Sequence, residues 1–288
     1  MRWTPGDRGS IDDERGRTGM GLRGGVPLGL GGVVILFLLS WATGTDFLSM
    51  VGNSPPASDS AGNSGPVATT PAEERSVDFV DAVTKDVQDT WSRVLGGRYQ
   101  PTRVALFRDG IDSACGAAQS ATGPFYCPSD QRVYLDLGFF DELKKHLGAP
   151  GEFARAYVLA HEIGHHVQHL LGIDERLRSA QGSRAGSANA GSVALELQAD
   201  CFAGVWGHTA AQAGRAAAGK VELDPGDVED GLMAAAAIGD DRLQRMSTGH
   251  VAPDRFTHGS SAQRVEWFKR GMTTGNPDAC DTFARATR

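Results

Sequence analysis

The sequence predicts an α+β domain, predominantly α with a small β-sheet, preceded by one transmembrane helix and a flexible tether. Three observations carry this. Residues 24–45 contain no charged side chain, residues 46–75 hold few large apolar groups, and beyond them apolar residues recur mostly at helical spacing. With 288 residues, 40% of them hydrophobic, the chain can bury a real core. A net charge of −7 and the lack of Lys/Arg blocks exclude nucleic acid as the natural partner.

Taken in order, residues 1–23 hold Arg2, Arg8, Arg15, Arg17 and Arg23, and no Lys or Arg follows until Arg75. An apolar run of ~20 residues suffices to cross a bilayer, and the arginine bias places residues 1–23 in the cytoplasm and the rest outside. The long region ahead of the run and the missing A-x-A site favour an uncleaved single-pass anchor over a signal peptide. The expected location is therefore the cell membrane, with the C-terminal domain extracytoplasmic. Residues 46–75, rich in Ser, Pro, Gly and Ala, cannot bury enough surface to offset ordering and read as a linker.

The folded domain is expected over 76–288. Ser76 can cap a helix with Val80, Val83, Val87, Trp91 and Val94 on one face, stopped at Gly96-Gly97. Segments 102–107 and 132–137 read as strands, the second alternating Val133, Leu135 and Leu137 against Tyr134 and Asp136. Further helices are suggested at 139–147, 152–171, 193–213, 226–238 and 261–271, with Ser192, Asp224-Pro225 and Ser260 as start signals and a small-residue loop over 179–192. Four cysteines, Cys115, Cys127, Cys201 and Cys280, lie on the presumed exterior side, where disulfides persist. Three pairings are open, and the short loop makes 115–127 with 201–280 the simplest.

The stretch "AYVLAHEIGHHVQHLLG", residues 156–172, holds four of the eight histidines. His161 and His165 are four apart, so one helix face presents both rings to a single ion at about 2.0–2.1 Å, the zinc–imidazole distance. Glu162 completes H-E-x-x-H, in which the glutamate is a general base, and chance yields only on the order of 0.01 such patterns in a chain of this composition. His169 lies about 12 Å along the axis from His161 and cannot join it on one metal. His166 reads better as a structural hydrogen-bonding group than as a ligand.

A catalytic zinc usually has three protein ligands and an open position. The H-x-x-G-x-x-H route fails at Leu171. "SVALELQADCFAG" offers Glu196 as third ligand, with Asp200 one turn on to accept from the far nitrogen of a ligand histidine; the reversed roles stay open.

"HEIGHHVQ", "ELQADCFAGVW", "GPFYCPSDQRVYLDLGFF" and "FTHGSSAQR" together resemble the bacterial, membrane-anchored neutral zinc metallopeptidase family. The resemblance covers residues 1–5 loosely and 76–283 closely, and departs in a glycine-rich anchor. It implies a zincin-like fold, one zinc ion on His161, His165 and Glu196, and Glu162 as catalytic base.

The expected chemistry is zinc-assisted hydrolysis of a peptide or protein substrate, with strand 132–137 pairing with an extended chain. His258 is the first candidate for the donor to the developing oxyanion, then Tyr126 or Tyr134. His146, His208 and His250 receive no role, and Asp240-Asp241 reads as a solvated turn rather than a calcium site. Two alternatives remain: a zinc-dependent amidase acting on cell-wall peptides, and an inactive zinc-stabilised interaction module. Oligomeric state and substrate preference are not legible.

Overall fold

Thr70 opens the first helix, α1 (Pro71–Leu95): its hydroxyl accepts from the Glu73 N–H, and Pro71 occupies the first turn, where a missing N–H costs nothing. Val77, Val80, Val83, Val87 and Trp91 recur on one face and are fully buried, whereas Val94 points out. Gly96, with φ of 58°, ends the helix in a backbone region that other residues enter only at a cost. The helix thus starts ahead of Ser76, and residues 71–75, expected in the linker, are helical. The computed structural model describes residues 1–16, 68–119, 123–145, 148, 151–180 and 185–283. The expected transmembrane segment 24–45 lies outside these residues, as does most of the tether; among the described residues no helix is long and apolar enough to cross a membrane.

A four-stranded sheet follows the order β1-β2-β6-β5, with β1 Ile11–Asp13, β2 Arg103–Phe107, β5 Phe125–Cys127 and β6 Arg132–Asp136. β1 and β6 pair parallel to β2, and β5 runs antiparallel to β6. Strand alternation sorts the core. Val104, Leu106, Val133 and Leu135 join the main helical core, while Ala105, Phe107 and Tyr134 form a smaller cluster with Cys127 on the other face. A hairpin, β3 (Gly110–Ser113) with β4 (Gly116–Gln119), lies between β2 and β5 in the chain. Cys115 is bonded to Cys127. Because β6 has a neighbour on both sides, the expectation that it receives substrate as an added strand is corrected. Among the described residues the edge strand on that side is β5.

The remaining elements are helices: α2 Gly138–Lys145, α3 Glu152–Leu170, α4 Ile173–Ala180, α5 Ala185–Ala210, α6 Asp227–Ala237, α7 Asp240–Thr248 and α8 Ser261–Thr274. Ser192 lies inside α5 rather than starting it, since the Ala- and Ser-rich stretch ahead of it is helical from Ala185. The Ser260 signal holds, as Ser260 and Gln263 form a reciprocal capping box. Asp240-Asp241 is no solvated turn: it opens α7, and Asp240 is buried.

Against the expectation of a separate cytoplasmic segment, residues 1–16 pack onto the domain. β1 extends the sheet, and Arg2 forms a β-bridge with Glu222. The Trp3 indole sits edge-on to Phe79 and donates to Glu152. Arg8 pairs with Glu74 and Asp78, and the buried Arg15 with Asp13, Glu73 and Glu74. Three of the five arginines behind the orientation argument are thus used on acids of the domain itself.

Candidate metal centre

Most of α3 is core. Phe153, Leu159, Ala160, Ile163 and Val167 are buried, which leaves one stripe to carry polar groups. On that stripe Gly164 permits a close approach by α5. A Cβ there would lie 3.1 Å from the Ala199 carbonyl oxygen and 3.2 Å from its Cα. The α5 backbone therefore comes near enough to set Glu196 and Asp200, one turn apart, against His161 and His165.

His161 Nε2 lies 3.2 Å from His165 Nε2 and 3.2 Å from a Glu196 carboxylate oxygen, and His165 Nε2 lies 3.5 Å from the other. The far nitrogens decide the tautomers. His161 Nδ1 bonds an Asp200 oxygen at 2.9 Å and His165 Nδ1 bonds Gln168 Oε1 at 2.8 Å. Both partners are acceptors, so each Nδ1 carries a proton, and both Nε2 atoms face the Glu196 carboxylate. Three groups that can each offer an electron pair to a metal thus face one another. A tetrahedral zinc with bonds of 2.0–2.1 Å separates its ligands by about 3.3 Å, so the donor set fits that ion. Among the described residues these three form the group able to hold a metal. Asp200 lies on the Nδ1 side of His161, across the ring from Glu196.

Glu162 is buried, and the Tyr126 backbone N–H hydrogen-bonds its carboxylate. Burial, opposed by His161 and reinforced by the charge of Glu196, pushes its pKa up to about 7. Burial acts the same way on Glu196, but His165 and His161 outweigh it and hold that carboxyl well below the usual range.

His258 lies in the loop before α8. One oxygen of Asp240 accepts from the backbone N–H groups of Thr257, His258 and Gly259 at 2.7, 2.7 and 3.0 Å, and the other bonds His258 Nδ1 at 3.1 Å. Burial lowers the imidazole pKa, but Asp240 and the nearby charge of Glu196 raise it above the ordinary histidine value. The other two donor candidates have their hydroxyl protons committed. His166 Nε2–H donates to the Gln100 carbonyl at 2.6 Å, so its Nδ1 accepts from the Tyr126 hydroxyl at 3.0 Å. Tyr134 donates to Asp130 at 2.7 Å. His169 bonds Asp174 at 3.1 Å, and His208 bonds the Met272 carbonyl, both away from the His161, His165 and Glu196 group.

Four residues here escape sequence reasoning. Gln168 and Tyr157 lie within about a turn of His165 and His161 and were legible as members of the same stripe. Asp240 and Arg264 come from distant parts of the chain with no local signal. Arg264, on α8, grips Asp200 from Nε and Nη2, each at 2.8 Å.

A family model described as "Putative neutral zinc metallopeptidase" matches residues 1–283. The chain is 43% identical to the uncharacterized protein YpfJ of Escherichia coli strain K12, over 99% of this chain and 100% of that protein. It is 46% identical to the uncharacterized protein Rv2575 of Mycobacterium tuberculosis strain H37Rv, over 72% of this chain and 70% of that protein. No solved structure matches.

Proposed function

Since the chain belongs to the "Putative neutral zinc metallopeptidase" family, we propose that it is a zinc-dependent hydrolase of peptide bonds that works outside the cytoplasm. The observation that carries this reading is the trio of donors from His161, His165 and Glu196 at 3.2–3.5 Å, with the buried Glu162 carboxylate beside them. A zinc ion held there would polarise the scissile carbonyl and acidify an attacking water.

The chain's own residues do the rest. Glu162 takes the proton from the attacking water and delivers it to the departing amine; burial keeps its carboxyl near neutrality, where it can do both. His258, oriented through Nδ1 by Asp240, offers Nε2–H to the carbonyl oxygen as charge develops there. β5 presents the open sheet edge along which an extended substrate adds as a strand, and its Tyr126 touches Glu162 through the backbone. Two disulfides support an oxidising compartment. The apolar run 24–45 is the proposed membrane contact.

The test is made on the full-length chain. Wild type and Glu162→Gln are compared for bound zinc and for cleavage of casein. Equal zinc with abolished cleavage in the variant supports the reading. Equal cleavage by both, or no zinc in the wild type, ends it.

A further inference from the structure

We propose that Arg264 is a positioning residue of this centre, holding Asp200 and through it the metal-binding face of His161. The inference rests on the reading of His161 as a ligand. Asp200 is completely buried and is crowded with donors. Tyr157 donates its hydroxyl to one carboxylate oxygen, which also meets His161 Nδ1 at 2.9 Å and Arg264 Nη2 at 2.8 Å; Arg264 Nε holds the other oxygen at 2.8 Å. A planar guanidinium gripping both oxygens stops the carboxylate rotating about its last bond, which an ammonium cannot do. With the acceptor fixed, the imidazole plane is fixed, and Nε2 is aimed at the ion rather than merely near it.

The arginine is itself fixed. It stands on the second turn of α8, and the Ser260–Gln263 capping box defines where that helix begins. The third guanidinium nitrogen, Nη1, reaches the Ile238 carbonyl at 3.4 Å, which ties the group to the end of α6. The loop just before the cap carries His258. One helix start thus sets both the group behind His161 and the donor expected across the site. The arginine side chain is 3% exposed and Asp200 0%, so its charge serves an internal partner and not solvent or substrate.

The experiment uses the full chain. Zinc affinity is measured by competition with a chelator, and cobalt(II) is loaded to read ligand geometry from its visible absorption. Arg264→Lys keeps the charge and loses the fork. It should weaken zinc about 10- to 100-fold and alter the cobalt spectrum, while the melting curve stays cooperative. Zinc affinity and cobalt spectrum both like wild type overturn the proposal. Should Arg264→Lys fail to fold, Asp200→Asn is compared with Asp200→Asn/Arg264→Gln, in which both charges leave together. Equal affinity in the two shows that the arginine acts through Asp200; a further drop in the double variant overturns that. A wild-type chain that takes up neither zinc nor cobalt sinks the metal reading instead, so the two failures are distinct.

Discussion

At the scale of single residues, adjacent histidines on one helix do different work because the helix turns about 100° per residue. His165 faces α5 and its Glu196; His166 faces the sheet, donating to the Gln100 carbonyl and accepting from Tyr126. His165→Ala should therefore lose bound zinc altogether. His166→Phe should keep zinc at full stoichiometry yet lower stability by about 1–3 kcal/mol, the cost of two buried hydrogen bonds, measured by urea unfolding. Loss of zinc from His166→Phe would show that this ring serves the metal after all. A similar contrast separates the tyrosines. Tyr126 and Tyr134 are donor candidates by composition, but each hydroxyl already has an acceptor inside the fold.

At the scale of elements, the α5 and α8 backbones touch at two glycines. A Cβ on Gly271 would lie 1.9 Å from the Cys201 carbonyl oxygen, and one on Gly204 would lie 2.2 Å from that of Phe268. Neither backbone can yield without moving a helix. Gly271→Ala should thus cost about 1–3 kcal/mol by overpacking and should shift the turn that bears Asp200. Differential scanning calorimetry reads the first effect and zinc affinity the second. An unchanged melting temperature would contradict the close packing. The Cys201–Cys280 bond reinforces the same contact, and Gln198 donates to the Cys280 carbonyl beside it. It closes a separation of 79 residues against 12 for Cys115–Cys127. Chain entropy then assigns about 4.5 kcal/mol to the long loop and about 3 kcal/mol to the short one. Paired Ser substitutions, compared by denaturant titration, should rank in that order.

On the scale of the whole molecule, the docking of residues 1–16 constrains topology. Their strand and ion pairs form on the domain that follows the apolar run, so both must lie on the same side of any membrane. With Asp7→Cys and Lys269→Cys placed singly in the full chain, a membrane-impermeant maleimide applied to intact cells should label both or neither. Labelling of one alone would mean that the docked strand does not form in the membrane-bound protein. The docking should also respond to acid. Arg8, then Arg15, holds the Glu74 carboxyl below its ordinary 4.5, and Arg15 holds Asp13 below 3.8. Depressed carboxylates contribute stability that is full above their unfolded values and lost as pH falls through the folded ones. A fluorophore attached to the introduced thiol of the Asp7→Cys variant should accordingly gain mobility below about pH 4.5, read as falling anisotropy. A flat profile down to about pH 3 would contradict the ion-pair anchoring.

Local geometry was legible without coordinates. A spacing of four residues puts two imidazoles on one helix face wherever that helix goes, and the Glu196–Asp200 turn and the Ser260 cap follow the same short-range rules. The strand alternation at 132–137 and the short Cys115–Cys127 loop also belong to residues close in the chain. What only the tertiary structure decided depends on contacts between distant parts of the chain. Arg264 meets Asp200 across 64 residues and Asp240 meets the His258 backbone across 18. β1 joins the sheet from the far side of the apolar run, and β5 rather than β6 has the open edge. Arg2, Arg8 and Arg15 illustrate the difference best: counted along the chain they contribute to an orientation in a membrane, but in space they lie against Glu73, Glu74, Asp78 and Glu222, because ion pairing depends on distance through the fold and not on position in the sequence.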